Sequence, residues 1–467
     1  MRCRCILICL LAGVYGGCAS YHDAPLAPER TAAQFAARRL DDPKLREEVQ
    51  GLLPQATAAW PPREWDRAAL LAVALVQNPD LAAARAQVQS VRAREMTAAQ
   101  VPNPDLTLES EYALHDAHPW LYGVGLNWLL HTGERRRLDI ELARLDTGNA
   151  RLKLMDDAWG VRHALAAALS EGEGARRRLR LLEQLAACQD RLVELEQQRV
   201  RVGEDPPNQL LSHQRARIDI ELEQAQQRAL ADAAQAATAK ALGLPPQALD
   251  GVALAWPDWG EPAPVQDEEL RAHREQALLS RTDLRVAIGE YAVAETKLHQ
   301  AVARQYPELT LGPGYYWDHG IAKFPFDVGF TLPVNGNQGE IAEATAGREA
   351  AGRRMLALQA DIYGDIAAAE RAELTARTNL EAAERQLKAA RQQLAQTELG
   401  VRVGALDSLE RIGAQIIATR AELELVRMRA QLQVSRNALE DALRAPLSGP
   451  EIALADAGSR AWSGAGL

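Results

Sequence analysis

A repeat with a period near 200 residues constrains the fold of this chain more than any other feature of its sequence. The matching stretches are residues 80–81 with 283–284 (DL), 104–108 with 307–311 (PDLTL and PELTL), 124–126 with 328–330 (VGL and VGF), and 200–203 with 401–404 (VRVG). Their offsets are 203, 203, 204 and 201 positions. Solenoid repeats are much shorter, at roughly 20–50 residues. The sequence therefore predicts two tandem copies of one domain-sized unit.

The first 18 residues have the pattern of an export signal. Arg2 and Arg4 precede an apolar run that is too short to span a bilayer. Cys18 follows two glycines, an arrangement that resembles bacterial lipoprotein signals, in which the cysteine becomes the lipidated first residue. We therefore predict a lipoprotein-type signal over residues 1–18 and a covalent lipid on Cys18. The alternative is an ordinary signal that is cleaved elsewhere.

Composition and motifs exclude several classes of function. The net charge of -10 comes from residues of both signs spread along the chain, which leaves no basic patch for nucleic acid. The sequence has no glycine-rich phosphate loop, nucleophile elbow or helical His-Glu-x-x-His motif, so we do not expect an enzyme. Outside the signal only Cys18 and Cys188 remain, too few for a cysteine metal cluster.

Two stretches alternate in hydrophobicity with a period of two residues. We predict strands at residues 105–114 and 119–130 in the first copy and at 308–317 and 323–332 in the second. One face of these strands is aliphatic and aromatic, and it holds most of the ten aromatic residues that the hairpins take from the 22 of the chain. The opposite face is rich in glycine and polar residues. This pattern is typical of membrane β-barrel strands, and two soluble hairpins that cover a core are the alternative.

Four strands cannot close a barrel, because the smallest membrane barrels have about eight. An open edge beside an aromatic face would also aggregate. We therefore expect several chains to share one barrel, and three chains would supply 12 strands. Glu109, Glu111 and Asp327 would then face an acidic lumen.

Long proline-free stretches predict two long helices, at residues 133–199 and 339–402, each followed by a turn and a return helix. Gly160, Gly172 and Gly174 are expected to bend or break the first of them. The predicted seam between the first pair of helices uses Leu195, Val202, Leu210, Leu211, Ile218 and Leu222. The predicted domains are an extended arm (19–65), a first repeat (66–242), a linker (243–265), a second repeat (266–445) and a flexible tail (446–467).

The order of these elements resembles the TolC-like outer membrane efflux proteins over about residues 65–445. The motifs that carry the resemblance are residues 78–81 (NPDL), the two strand entries at 104–108 and 307–311, and the turn segments at 200–203 and 401–404. The resemblance implies a mainly α-helical homotrimer with a 12-strand barrel in the outer membrane and a helical tunnel across the periplasm. It also implies a periplasmic adaptor and a proton-driven inner-membrane pump as partners. Residues 103–106 (NPDL) and 132–137 (TGERRR) resemble the CzcC-like heavy-metal branch, and drug efflux is the rival assignment.

The second turn holds the candidates for a gate. Members of this family often carry Leu-Asp-Ala-Gln there, whereas residues 412–415 read IGAQ and lack the aspartate. Asp407 and Glu410 lie nearby and are candidates for a carboxylate ring at the periplasmic entrance, which would attract cations. The alternative is that both residues only cap the return helix.

His115 and His118 are weak candidates for a metal site in the first hairpin turn, and a solvated loop is the stronger interpretation. The sequence favours an outer-membrane exit duct that conducts metal cations or small toxic compounds. The alternatives are a lipid-anchored periplasmic coiled-coil scaffold without a pore and the duct of a type I protein secretion system. No cofactor is expected apart from the lipid on Cys18.

Overall fold

The computed structural model of the protein describes residues 20–53 and 60–452. The helices in these residues are α1 (Pro28–Ala36), α2 (Pro43–Leu52), α3 (Arg67–Gln77), α4 (Pro79–Ala99), α5 (Arg135–Arg201), α6 (Pro207–Leu242), α7 (Asp267–Ser280), α8 (Thr282–Ala303), α9 (Gln338–Arg402) and α10 (Ser408–Leu443). The strands are β1 (Asp105–Tyr112), β2 (Trp120–Leu130), β3 (Leu309–Asp318), β4 (Ile321–Lys323) and β5 (Phe326–Phe330). The described residues before Leu40 form a unit of their own, which contains α1, and the chain from Leu40 onward forms a second unit.

The second unit repeats one plan twice. The first copy consists of α3, α4, β1, β2, α5 and α6, and the second consists of α7, α8, β3, the pair β4 and β5, α9 and α10. In each copy two short helices lead to strands, a helix of more than 60 residues follows, and a return helix of 36 residues completes the copy. The internal repeat in the sequence is therefore a repeat in the structure.

Asn78 forms the junction between the two short helices of the first copy. Asp66 caps α3, and its carboxylate accepts a hydrogen bond from the Ala69 amide at 2.7 Å. The Asn78 carbonyl oxygen Oδ1 accepts from the Asp80 amide at 2.9 Å, and Nδ2 donates to the Ala241 carbonyl at 2.9 Å. Pro79 occupies the first helical position, where its missing amide hydrogen costs nothing. Asn78 and Pro79 thus separate α3 from α4.

Arg281 forms the corresponding junction in the second copy. α7 ends before Arg281 and α8 begins after it. Arg281 donates from Nη1 to the Ala442 carbonyl at 2.6 Å, as Asn78 does to Ala241 in the first copy. The guanidinium also binds the Asp283 carboxylate, with Nη2 2.6 Å from Oδ2. Arg281 lies 203 positions after Asn78, so the internal repeat could have been used to predict this helix break.

Replacement of Asp283 by Asn should make the free energy of unfolding less sensitive to a fall in pH. Burial alone would raise the pKa of Asp283, but the hydrogen bonds and charge of Arg281 hold it below the ordinary value of 3.8. A lowered pKa stabilises the folded state above the unfolded-state pKa, and this contribution is lost as the pH falls through the folded-state pKa. We expect Asp283→Asn to cost about 1 kcal/mol at pH 7 and much less near pH 3. Unfolding midpoints at the two pH values test this, and an equal loss at both would contradict it.

The long helices α5 and α9 are continuous. The predicted break of α5 at Gly160, Gly172 and Gly174 is wrong, because the helix runs unbroken from Arg135 to Arg201. Gly172 and Gly174 are buried where other elements approach closely. A Cβ atom on Gly174 would lie 3.1 Å from the Trp259 ring. Tertiary packing thus outweighs the helix propensity of glycine, which is only about 1 kcal/mol worse than that of alanine.

Four elements stand side by side at each level of the second unit. The sheet has the order β1, β2, β3, and then β4 and β5, both of which pair with β3. Next to the sheet, α5 packs between α4 and α8, and α9 packs on α8. Further away, α5 packs between α6 and α10, and α9 packs on α10. We call this structure, from the sheet to the far turns, the four-element wall.

The contacts between α5 and α6 differ from the predicted seam. Val202, Leu211, Ile218 and Leu222 are all more than half exposed, and Leu195 and Leu210 are only partly buried. The buried apolar cluster between these helices instead contains Leu182, Leu185, Ala186, Leu192 and Ile220, and it also includes Ile412 and Ile416 of α10. The prediction assumed a two-helix coiled coil, whereas α5 has neighbours on two sides.

All strand pairs are antiparallel. The first three strands lie close to the predicted ranges, although β1 ends at Tyr112 rather than at residue 114. The fourth predicted strand (323–332) is interrupted, begins at Ile321 and ends at Phe330. Pro325 lies in the gap and has no amide hydrogen to donate, although its carbonyl still accepts from the Gly314 amide at 2.9 Å.

The arm and the linker pack around the middle of the helices. Trp65 pairs with Leu254 in a parallel bridge, and its ring meets that of Trp60 edge to face at 5.2 Å. Trp259 of the linker is fully buried and donates from Nε1 to the Ser170 carbonyl at 3.1 Å. Trp60 and Trp65 thus pack residues 60–65 against the core of the second unit. The arm also contains α2, which the sequence analysis did not predict.

The chain after α10 packs against the helices over residues 445–452, so the predicted flexible tail (446–467) is wrong for its first part. Leu447 is buried, and its amide donates to the Glu440 carboxylate at 2.9 Å. The Glu451 carboxylate lies 2.7 Å from Arg162 of α5 and 3.9 Å from Arg67 of α3. Residues 453–467 lie outside the described part of the chain.

Arg162 is the centre of a buried ion cluster. Its guanidinium contacts Glu440 at 2.5 Å as well as Glu451, and all three side chains are at most 7% exposed. Burial alone would lower the pKa of Arg162, but the charges of Glu451 and Glu440 raise it above its usual value. This cluster joins α5, α10 and the segment that follows α10, and no sequence pattern predicted it.

Candidate channel wall

One face of the sheet is apolar and exposed. Paired residues on this face include Leu106 with Leu126, Leu108 with Val124 and Tyr315, Tyr122 with Trp317, Trp128 with Leu311 and Val328, and Leu130 with Leu309 and Phe330. Most of these side chains are between 37% and 71% exposed. In the described residues no helix covers this face. Such a face is expected to contact lipid or another chain.

The opposite face of the sheet is polar and is built in rows across the strands. The register places Asp105 beside Asn127, and Asp327 pairs with Gly312 next to them. Glu109 pairs with Gly123, and Glu111 pairs with Leu121. Paired residues share a face, so Glu109, Glu111 and Asp327 all lie on this polar face. Their assignment to a lumen remains a prediction because it depends on closure of a barrel.

Several positions on the polar face of the sheet are glycines, which have no side chain. Tyr316 lies across Gly123 and Gly125, and a Cβ atom on Gly123 would overlap its ring. Gly312, Gly314 and Gly329 lie on the same face. A face of glycines and short polar groups leaves room for water, which fits a water-filled interior better than a packed core.

The two hairpin ends meet at one end of the sheet. The His319 Nδ1 atom lies 2.7 Å from the His118 carbonyl, and the same ring lies 3.8 Å from Asp116. His118 packs against Gly320, and His115 has a positive φ of 77° in its turn. In the described ranges, no three His, Cys, Asp or Glu side chains converge to hold a metal ion. The geometry adds no further ligand to the weak candidates His115 and His118.

The helices next to the sheet enclose an open cavity of about 1210 Å³. Each of α4, α5, α8 and α9 contributes one face to it, with residues spaced three, four or seven apart. We call this cavity the chamber. Its charged side chains are five acidic residues (Asp146, Asp157, Glu290, Glu340, Glu343) and five basic residues (Arg94, Lys153, Lys297, Arg304, Arg354).

Several of the chamber charges pair across neighbouring helices. Lys153 of α5 lies 3.1 Å from Glu290 of α8, and Arg304 beside α8 lies 2.8 Å from Glu340 of α9. The charge of this surface is therefore compensated within short distances. Surface pairs of this kind contribute little to stability, so their main effect is on the local potential.

The two far turns have the same backbone. Gly203 and Gly404 have φ values of 78° and 74°, and both turns close with an amide that donates to a carbonyl five residues earlier. Val202 and Val403 precede these glycines and are 71% and 72% exposed. The side chains differ, because Arg199 binds Asp205 in the first turn while Leu406 packs over Gly400 in the second.

Asp407 and Glu410 form a capping box at the start of α10. The Glu410 amide donates to the Asp407 carboxylate at 2.9 Å, and the Asp407 amide donates to the Glu410 carboxylate at 2.9 Å. The helix-cap contacts that the sequence analysis gave as the alternative are thus present. The pKa of Arg199 is raised, chiefly by its hydrogen bond to Asp205 and also by the charge of Asp407. A positive charge therefore lies near the second turn. The gate role of Asp407 and Glu410 stays a prediction.

Exposed apolar side chains follow both outer edges of the wall. On α6 they are Leu211, Ile218 and Leu222, and on α9 they are Leu356, Tyr363 and Leu374. The inner faces of these helices pack on α5, α8 and α10. The two edges therefore offer apolar surface to something outside the described residues.

The predicted lipidation site Cys18 lies outside the described residues. Cys188 is a half-buried free thiol, and burial raises its pKa. None of the helices in the described ranges combines the length and the apolar character that crossing a bilayer requires.

The sequence profile of the family described as "Outer membrane efflux protein" matches residues 70–244 and 274–443, one match for each copy. The chain belongs to this family. The two matches together cover well over half of the chain, and they confirm the predicted TolC-like assignment. They do not select the CzcC-like branch or any other branch of the outer membrane efflux proteins.

Solved outer-membrane channels share the fold of this outer membrane efflux protein. The channel OprN has 18% identity and a TM-score of 0.67, over 93% of this chain and 99% of its own. VceC from Vibrio cholerae has 17% identity and a TM-score of 0.65, over 81% and 96%. CmeC from Campylobacter jejuni has 11% identity and a TM-score of 0.64, over 96% and 94%. No curated protein sequence gives a significant match.

The comparisons agree with the predicted fold class at the level of a mainly helical channel protein with a small sheet. The family and its structural neighbours are transport channels rather than enzymes. The two faces of the sheet and the chamber are features of the geometry of this chain.

Proposed function

We propose that this protein is the outer-membrane exit duct of a tripartite efflux system. It conducts metal cations or small toxic compounds passively from an inner-membrane pump to the outside. The observation that carries the proposal is the exposed apolar face of the sheet, which continues into the four-element wall. A membrane barrel needs an apolar surface toward lipid and a polar surface toward water. This sheet has one apolar face and one glycine-rich polar face.

We infer that three chains close the barrel and the tunnel. The sheet is four strands wide, and neither outer edge is paired within the described residues. Three copies would give the predicted 12 strands. The apolar stripes on α6 and α9 lie on opposite edges of the wall, so the edge of one copy can meet the other edge of the next. Such a head-to-tail contact closes into a ring when the rotation per copy fits.

The proposed partners follow from the two ends of the duct. A lipid on Cys18 would anchor the protein to the outer membrane. A periplasmic adaptor would contact the far turns, where Val202 and Val403 offer exposed apolar side chains on matching backbones. A proton-driven inner-membrane pump would supply the energy, since a passive duct needs no catalytic centre.

We also propose that Asp407 and Glu410 form a ring of charges at the periplasmic entrance. Glu410→Gln keeps the hydrogen-bonding capacity of the cap but removes the charge. If the ring acts on ions, this variant should lower the preference for cations by less than twofold, because Arg199 already compensates part of the charge. Reversal potentials in a salt gradient measure the preference. An unchanged preference in Glu410→Gln would leave only the capping role.

The alternatives differ in what they do with the sheet. A periplasmic scaffold without a pore has no use for an exposed apolar face on four strands, so the sheet favours the duct. A type I secretion duct would have the same wall and would carry polypeptides instead of small solutes. The finer version of the proposal is a CzcC-like duct that exports metal ions, because residues 103–106 and 132–137 resemble that branch of the family.

The test is single-channel conductance of the purified full-length protein in a planar bilayer, together with its mass in detergent. We expect the mass of three chains and discrete conductance steps. A monomer that gives no conductance but stays membrane-bound through Cys18 would contradict the duct and favour the scaffold.

A further inference from the structure

Tyr316 is the one aromatic residue of the described strands that lies on the polar face of the sheet. In the strand register it pairs with Gly123 of β2 and with Lys323 of β4. Paired residues share a face, and Gly123 also pairs with Glu109 of β1 on the polar side. The other aromatic residues of the strands pair on the apolar face, and they are Tyr112, Trp120, Tyr122, Trp128, Tyr315, Trp317, Phe326 and Phe330.

The Tyr316 ring lies flat along the sheet instead of pointing away from it. A Cβ atom on Gly123 would lie 2.1 Å from Cδ1 and 2.5 Å from Cε1 of the ring. A Cβ atom on Gly314 would lie 2.8 Å from Cε2, and one on Gly125 would lie 3.1 Å from the hydroxyl oxygen. These contacts follow the ring from its root to its hydroxyl group. One face of the ring therefore covers glycine backbone, which can be approached closely because it has no side chain.

The opposite face of the Tyr316 ring is turned away from the sheet. Tyr316 is only partly buried. In the part of the chain that the structure describes, the ring pairs and the arginine–ring contacts all involve other aromatic residues. Lys323 is the direct neighbour of Tyr316 on β4, but its ammonium group binds the Asp318 carboxylate. The sheet thus presents one open π-face, which the backbone beneath it supports.

We propose that the Tyr316 ring is a stacking site for planar aromatic solutes on the wall of the duct. The inference rests on the proposed function, because it requires the polar face to line the lumen. Offset stacking of two rings strengthens binding about two- to twelvefold beyond the burial of their area. The row that contains the ring has Glu109 at one end and Lys323 at the other, so shape rather than charge selects the solute. The site therefore acts on small aromatic compounds and not on metal cations.

The flat position of the ring suits a passive duct. It leaves the lumen open, and contact with a single ring face gives weak binding, with a dissociation constant in about the millimolar range. Binding of this strength lets a solute leave again, as conduction requires. In a barrel of 12 tilted strands with a spacing of about 4.8 Å, the three copies of the ring would lie roughly 20 Å apart. A small solute would therefore touch one ring at a time, and the three sites would act independently.

The experiment measures the single-channel current of the full-length protein in planar bilayers, with caffeine as a neutral, planar and water-soluble probe. We expect caffeine to lower the mean current partially and saturably, whereas glucose, which is neutral and not planar, should show no saturation. Tyr316→Phe keeps the π-face and should keep the caffeine affinity within about twofold. Tyr316→Leu covers the glycines without a π-face and should weaken the affinity about threefold or more.

Tyr315→Leu is the matched control, because Tyr315 is the next residue in the same strand and pairs with Val124 on the apolar face. It should leave the caffeine effect unchanged. An equal loss of affinity in Tyr315→Leu and Tyr316→Leu would overturn the stacking site, because the effect would then not depend on the face of the sheet.

Two further results would overturn the stacking site while leaving the duct intact. They are an unchanged caffeine affinity in Tyr316→Leu, and a conducting unchanged protein that shows no saturable caffeine effect. Absence of any conductance in the unchanged protein would instead contradict the proposed function. The mass of each variant in detergent shows whether it assembles, and Tyr316→Met provides a second non-aromatic variant if Tyr316→Leu does not.

Discussion

Arg162→Met should lower the stability of the protein by about 3–5 kcal/mol. The change leaves the Glu440 and Glu451 carboxylates buried without their shared counter-charge, and both are at most 4% exposed. A charge that stays in a low-dielectric site costs far more than an ion pair gains, and this asymmetry makes the loss large. The measurement is the midpoint of thermal unfolding of the purified protein in detergent.

A second variant separates charge from shape in this prediction. Arg162→Met/Glu440→Gln/Glu451→Gln removes all three charges, and the neutral amides should recover most of the lost stability. The loss in the single variant and its recovery in the triple variant together identify an electrostatic cause. If the triple variant unfolds as early as the single one, the side-chain volume of Arg162 matters rather than its charge.

Leu108→Arg should strongly reduce the amount of folded protein in the outer membrane. Leu108 lies in the middle of β1 on the apolar face and is 71% exposed. An arginine on the lipid face near the middle of a bilayer costs about 2–4 kcal/mol. With three copies in one barrel, the cost would be paid at three places. Membrane fractionation followed by quantitative immunoblotting measures the effect.

Thr107→Arg is the matched control for that variant. Thr107 is the neighbour of Leu108 in the same strand, but it pairs with Gly125 on the polar face. An arginine there would reach into water, so we expect near-normal amounts in the outer membrane. Equal losses in the two variants would mean that the sheet does not have one lipid face and one water face.

The sequence predicted the parts of this fold that depend on local patterns. The alternation of residues 105–114 and 119–130 predicted both strands to within two residues, and it predicted the face that each side chain occupies, because a strand has a strict period of two. The offset near 200 positions predicted the duplication.

Other features depend on contacts between distant segments and were missed or wrongly predicted. Gly172 and Gly174 suggested a break in α5, yet both positions need a small residue where Ala234 and Trp259 approach. The glycine- and serine-containing end of the chain suggested a loose tail, yet Glu451 finds Arg162 and Arg67. A single sequence shows a residue type at such positions but not its partner.

The candidate channel wall was predictable to a similar degree. Glu109, Glu111 and Asp327 share a face as predicted, since strand alternation and register determine this together. The charge balance of the chamber was not predicted, because it depends on which faces of α4, α5, α8 and α9 meet. The capping contacts of Asp407 and Glu410 were foreseen only as an alternative, because a cap and a charged ring use the same residues.

The contact between Arg162 and Glu451 joins the first long helix to nearly the last described residue of the chain. A polypeptide is synthesised from its N-terminus onward, so Arg162 is made long before either of its carboxylates. Until Glu440 and Glu451 follow, the middle of α5 cannot bury its charge and stays open to water. A product that stops short of these residues therefore exposes an incomplete site that degradation machinery can attack. The ion cluster in the middle of α5 is therefore complete only once Glu440 and Glu451 are present.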